Sequence, residues 1–262
     1  WKSGLICTHY YDCGGQACDA KLLQPWDDSK WIAGPGYTVL DPNDFGGPKY
    51  GEKMWIYGAA SDALAEMLGD NIPDLGEVSE GPVSGACGKS ILVKNPSAKN
   101  SNWVALVMRK NRCPPWSSGC DQPHMDLMIP GFDNLKYSTA NKCGDPGTGL
   151  TKEQSSICGD LNSPSECKSC DKLPGPHKKG CQLFVDWGWS VGNPECDYAV
   201  VETPKAFIEY TKLIQIGGKY ENDPDEARKA VGAKSSTKPP SATPPSTKPP
   251  STKPPSTKPP ST

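Results

Sequence analysis

A β-barrel decorated by helices and long loops is the architecture this 262-residue sequence predicts, on three observations. Short β-branched or aromatic runs lie between turn residues, mostly in the second half of the body. Twenty-seven Gly and 28 Pro stand against four Phe, a balance that suits loops better than a helical bundle. Twelve Cys, even in number and spread from Cys7 to Cys196, read as a disulfide framework of up to six bridges.

The strand-like runs are Ile91–Lys94, Trp103–Met108, Leu183–Trp187 and Tyr198–Val201. A helix is predicted over Ala59–Leu68, where Ala60, Leu64, Met67 and Leu68 share a face and Gly69 stands at the C-terminal stop. Thr203-Pro204 opens a second helix with Phe207, Tyr210, Leu213 and Ile214 along one stripe, and Asp223-Pro224 opens a short third. Residues 1–234 therefore form the barrel domain with a helical C-terminal extension. Residues 235–262 form a Pro/Ser/Thr/Lys-rich linker or tail built on a Lys-Pro-Pro-Ser-Thr period, with ten prolines and nothing apolar to bury. Such a segment is an extended spacer suited to O-glycosylation. It either leads to a further binding module or merely solvates the end of the body.

The whole chain carries 28 basic and 30 acidic residues. Four of the lysines lie in the tail, so the body is acidic and no nucleic-acid partner is expected. No apolar run approaches the roughly 18 residues of a membrane span. The cysteine framework, and an opening at Trp1 without Met or a basic leader, lead us to expect a secreted, extracellular product whose signal peptide has been removed. The competing use of the cysteines is structural zinc, through the C-x₂-C pair Cys167 and Cys170. No second such pair or paired His follows at finger-like spacing.

Two segments carry candidate chemistry. Asp12 lies among aromatics and beside Cys13, and Asp126 lies in His124-Met125-Asp126-Leu127-Met128-Ile129-Pro130 among apolar neighbours that would raise its pKa by desolvation. Alone, each acid reads most simply as structural. Together, one solvated and one in apolar surroundings, they meet the requirement for acid–base cleavage of a glycosidic bond.

Thr8-His9-Tyr10-Tyr11-Asp12-Cys13 with Cys18 resembles the Thr-Arg-Tyr-Trp-Asp-Cys signature of glycoside hydrolase family 45 endoglucanases, and His124–Gly131 resembles the family's His-Phe-Asp-Leu-x-x-Pro-Gly. Ser61-Asp62-Ala63-Leu64-Ala65 is similar to its Ser-Asp-Asn-Leu-Ala helix, and Cys181–Trp187 with Asn193-Pro194 to its Cys-x-x-Arg-Phe-Asp-Trp strand and following loop. The resemblance implies a mainly β, disulfide-rich, six-stranded double-psi β-barrel that hydrolyses internal β-1,4 bonds of cellulose, mixed-linkage glucan or a related polysaccharide with inversion, as a monomer without metal or cofactor. By motif, Asp12 would be the general base and Asp126 the general acid. Tyr10 would contact the sugar, Thr8 would support the Asp12 loop and His124 would order the acid's segment, with Trp26 and Trp116 as further sugar platforms. An inverting pair would lie roughly 6.5–9.5 Å apart. The resemblance also implies a Cys13–Cys143 bridge, and local spacing suggests Cys113–Cys120.

The match has departures. His9 and Tyr11 replace Arg and Trp, and the acid that commoner members carry seven residues before the general acid is Gly119 here, which leaves Asp121 as the nearest candidate for an assisting acid. The stretch Cys113-Pro114-Pro115-Trp116 to Cys120 and His124 instead resembles expansins. An expansin-like protein that binds and loosens cell-wall polysaccharide without hydrolysis is therefore the alternative, and a structural or defence protein on the same barrel is the third reading.

Overall fold

The computed structural model describes residues 1–14, 16–18, 37–69, 77–78, 81–82, 86–115, 119–138, 141–159, 163–215 and 224–235. Six strands close into a barrel: β1 (Lys2–Tyr10), β2 (Met54–Ser61), β5 (Ser90–Lys94), β6 (Ala105–Cys113), β7 (His124–Met128) and β8 (Glu195–Val201). Two-residue strands β3 (Glu77–Val78) and β4 (Gly81–Pro82) pair with each other. The barrel order is β1-β7-β2-β6-β5-β8, with β1/β7 and β2/β6 parallel and the other contacts antiparallel. Closure leaves no free edge, so the strand N–H and C=O groups find partners within one sheet.

Side-chain alternation assigns the two faces. Leu5 and Cys7 of β1 and Met125 and Leu127 of β7 are buried in the core, and the residues between them face the other way. β2 is buried at all eight positions. Its Gly58 has no room for a side chain, because a Cβ would meet Met125 Sδ at 2.6 Å and Val107 Cγ1 at 2.9 Å.

The helix expected from Ala59 begins only after Ser61. Ala59 and Ala60 pair with both β6 and β7, and satisfying the backbone on two sides outweighs the helical spacing of the side chains. Helix α1 (Asp62–Met67) then starts on a cap in which Ser61 Oγ accepts from Leu64 N, and Gly69, at φ 86°, ends it as expected. The helical turn α2 (Lys152–Ser155) is opened by Thr151 and Gln154 in a reciprocal capping box.

The run Leu183–Trp187, expected as a strand, belongs instead to α3 (Gly175–Trp187). Its buried residues His177, Gly180, Cys181, Phe184 and Trp187 recur at helical spacing, and that stripe prevails over the local β-branched character. Phe184 sits 4.9 Å from Trp189 and 5.1 Å from Phe132, ring centre to ring centre, with Trp187 5.5 Å from Trp189. This cluster places Trp187 in the core. The other two expected helices are present as α4 (Lys205–Gln215) and α5 (Pro224–Ser235). Phe207 of α4 stacks on Trp55 of β2 at 5.0 Å, and Trp55 stacks on Phe45 at 5.0 Å.

Five bridges form rather than six: Cys13–Cys143, Cys18–Cys87, Cys113–Cys120, Cys158–Cys167 and Cys170–Cys181. Cys7 and Cys196 remain as adjoining buried thiols, and burial pushes the Cys7 thiol up. Cys167 and Cys170 enter different bridges and are not free thiolates, the form in which cysteine ligates zinc. Cys13–Cys143 spans 130 residues, so opening it should cost about 5 kcal/mol by chain-entropy arithmetic. A Cys13→Ser/Cys143→Ser variant is expected to show a clearly lower urea midpoint. An unchanged midpoint would refute that contribution.

Candidate active site

Thr8 of β1, Asp126 of β7 and Ala59 of β2 are in register, and Asn111 of β6 pairs with Ala59, so the four form a row across four strands. Tyr10 lies two residues beyond Thr8 on the same half-buried face and packs against Ala59 and the Cys113–Cys120 bridge. Its hydroxyl donates to Gln16 Oε1 at 2.9 Å. The barrel thus places Thr8, Tyr10, His124 and Asp126 together.

Asp126 is held by a short array. Thr8 Oγ1 lies 2.7 Å from Asp126 Oδ1 and 2.6 Å from His124 Nε2, and His124 Nδ1 lies 2.8 Å from Gly119 O. A carbonyl can only accept, so Nδ1 carries a proton. Desolvation holds the His124 pKa down, with the bond to the Gly119 carbonyl opposing. The Thr8 hydroxyl donates to Asp126 Oδ1, a bond that favours the ionised carboxyl. Desolvation pushes Asp126 up to about 7, with the Thr8 bond opposing and the charge of Asp133 adding to the rise.

Gly119 explains the missing acid. It holds φ 82°, which L side chains rarely adopt, and a Cβ there would lie 3.3 Å from His124 Nδ1. An Asp at this position would strain the turn and crowd the imidazole. Asp121 is exposed in the turn leading to β7.

Thr8→Val would keep the side-chain shape and remove the hydroxyl. Because that hydroxyl favours the ionised form, its loss should raise the Asp126 pKa by about one unit, on the scale of a hydrogen bond to a charged group. Carbon-13 titration of the carboxyl would register the change, and an unmoved titration would remove the assigned effect of Thr8.

Asp12 follows β1 by two residues and is only 4% exposed, so it is enclosed rather than solvated as expected. The Cys13–Cys143 bridge brings residues 141–143 against it. Its Oδ1 accepts from Gly14 N and Lys142 N, both at 2.8 Å. Desolvation raises its pKa most, those N–H groups and that of Cys13 pull it down, and Asp133 pushes it up again. Among the described residues Asp12 forms no ion pair, so backbone N–H groups supply the donors to its carboxylate. A Cβ at Gly14 would lie 3.0 Å from Asp12 Oδ2 and from Lys142 Cγ, so a larger residue there would press on both side chains.

Three neighbours were not foreseen from the sequence: Asn111, Asp133 and Lys142. Asn111 Oδ1 accepts from Ala17 N at 3.1 Å and Arg112 N at 2.9 Å. The even spacing of Asn111 and Cys113 in one strand was the available signal. Lys142 acts through its backbone, which no side-chain pattern reveals. Trp26 and Trp116 lie outside the described residues, as do residues 236–262 of the tail.

Two clusters of potential metal-ligating atoms occur among the described residues, one formed by Cys158, Cys167, Cys170 and Cys181 and one by Cys113, Cys120 and His124. Every cysteine in both is oxidised in a bridge. A pocket of about 590 Å³ is lined by Asp133, Leu135, Ile157, Glu166 and Lys168 among others, and by neither Asp12 nor Asp126. No helix among the described residues is long and apolar enough to cross a membrane.

No family model and no curated protein matches the chain. Among solved structures it is similar to a cellulase from the Antarctic springtail Cryptopygus antarcticus, at 17% identity over 81% of this chain and 96% of that one, with a TM-score of 0.41.

Proposed function

We propose that this chain is a secreted glycoside hydrolase that cleaves internal β-1,4-glucosidic bonds of cellulose-like glucans with inversion, with Asp126 as general acid and Asp12 as general base. The observation that carries the reading is the Asp126 carboxyl on a barrel strand, which burial pushes up to about 7 against the opposing bond from Thr8, so that it retains a proton at mildly acidic pH. The four ordered motifs that resemble family 45 endoglucanases, with both acids in place, also support it.

In this mechanism the Asp126 carboxyl gives its proton to the departing glycosidic oxygen. Asp12 takes a proton from the water that attacks the anomeric carbon from the opposite face, and that oxygen forms the new C–O bond as the old one breaks. The reaction consumes one water and needs no redox partner. Tyr10 presents a flat ring to a pyranose face, with Trp26 and Trp116 as further platforms. The five bridges favour an oxidising, extracellular setting. We read the chain as a monomer, with residues 235–262 as the linker to a carbohydrate-binding module.

The test is reducing-sugar release from carboxymethyl cellulose or mixed-linkage glucan, with the anomer of the first product read by proton NMR. Sugar release with an α-anomer first is the expected result. The Cys113–Cys120 bridge ahead of His124 favours an expansin-like second reading. Tight cellulose binding without sugar release would select it, with Asp121 then losing any part as an assisting acid.

A further inference from the structure

Asp133 is a buried carboxylate, 1% exposed, for which the proposed mechanism has no use. It lies five residues past β7 and reaches back to the segment that carries Asp12. Its Oδ1 accepts from Tyr11 N at 3.4 Å, and its Oδ2 accepts from Asn141 Nδ2. The same Asn141 amide donates to Tyr11 O at 3.3 Å and to Ser155 Oγ at 3.0 Å, and Asn141 Oδ1 accepts from Cys143 N at 2.7 Å. Asp133 and Asn141 together therefore engage both ends of residue 11. The next residue after Asn141 delivers the Lys142 N–H to Asp12. Burial raises the Asp133 pKa, and the donors around it, Asn141, Tyr11 N–H, the Ser138 side chain and Asn134 N–H, pull it back down.

We propose that Asp133, with Asn141, is a positioning residue for the acid–base pair: it fixes the Tyr11–Asp12 segment and exerts one buried negative charge on both Asp12 and Asp126. The proposal deepens the glycosidase reading and rests on it for its kinetic consequence. A like charge disfavours ionisation, so Asp133 helps Asp126 keep its proton at the expense of making Asp12 a carboxylate only at higher pH. The other titratable groups around Asp133 are His9, whose Nδ1 lies 3.0 Å from Phe132 O, Lys142 beside Asp12, and Lys136, Glu166 and Lys168 lining the same pocket. Tyr11 adjoins His177, 3.4 Å from its hydroxyl.

The experiment compares wild-type protein with Asp133→Asn and Asn141→Ala by carbon-13 titration of aspartate carboxyls and by kcat/KM against pH on a soluble β-1,4-glucan. In Asp133→Asn the Asp12 and Asp126 titrations, and both limbs of the pH profile, should move to lower pH by about 0.5–1 unit. In Asn141→Ala, which keeps the carboxyl but removes a donor that holds its pKa down, kcat should fall. A folded Asp133→Asn protein with unmoved titrations would overturn the proposal. Should that variant not fold, the wild-type titration decides: Asp133 ionised at pH 6 supports the proposal, and Asp133 still protonated there refutes it. If the wild type releases no sugar while the titrations move as stated, the glycosidase reading falls and the electrostatic role of Asp133 stands.

Discussion

Asp126→Asn is expected to lower kcat on unactivated β-1,4-glucan by about 10²–10⁴-fold with little change in KM, because the amide is nearly the same size and has no proton to give the leaving oxygen. The fold should survive, since the Asn side-chain carbonyl can still accept from the Thr8 hydroxyl across the same contact. The pH profile gives the sharper signature. Asp126 acts while protonated, so wild-type activity should fall as pH rises through about 7 and persist below it. The variant should lose that alkaline limb. On a substrate with an activated leaving group, such as a dinitrophenyl cellobioside, much of the loss should disappear because departure needs no proton. A variant equally impaired on both substrates would exclude Asp126 as the acid.

The parts of this site legible in the sequence are those set by local pattern. The apolar neighbours of Asp126 foretold a raised pKa, and Met125, Leu127 and Met128 are indeed fully buried beside it. Gly69, Thr203-Pro204 and Cys113–Cys120 were readable for the same reason, since each acts within a few residues. Strands β1, β2 and β7 were not foreseen, because their pairing partners lie far along the chain. Thr8 meets Asp126 across 118 positions, and Ala59 was drawn into a helix by spacing that its two strand neighbours override. The enclosure of Asp12 has the same origin. Residues 141–143 reach it through a bridge spanning 130 residues, and no composition within the Asp12 motif signals their arrival. Asp133 escaped notice because its partners, Tyr11 and Asn141, come from separate loops.

Asp12→Asn should be comparably severe, again about 10²–10⁴-fold in kcat, because the attacking water loses the carboxylate that takes its proton. The substitution is mild structurally. Asn can still accept the Gly14 and Lys142 N–H groups through its side-chain oxygen, so the loop should keep its course. Its pH signature is opposite to that of Asp126→Asn. Asp12 acts while ionised, and burial raises its pKa, so wild-type activity should fall as pH drops through that raised value. The variant should lose the acid limb and retain the alkaline one at about 7, which belongs to Asp126. Activated leaving groups should not restore the rate, since the missing step is water activation. Azide should rescue a cavity variant, Asp12→Gly, by attacking from the water's side without a base and forming the α-glycosyl azide. A β-configured azide product would place the nucleophile on the other face of the sugar. A variant that retains more than about a tenth of wild-type kcat would leave catalysis without a base at Asp12, against the 10²-fold minimum expected of one.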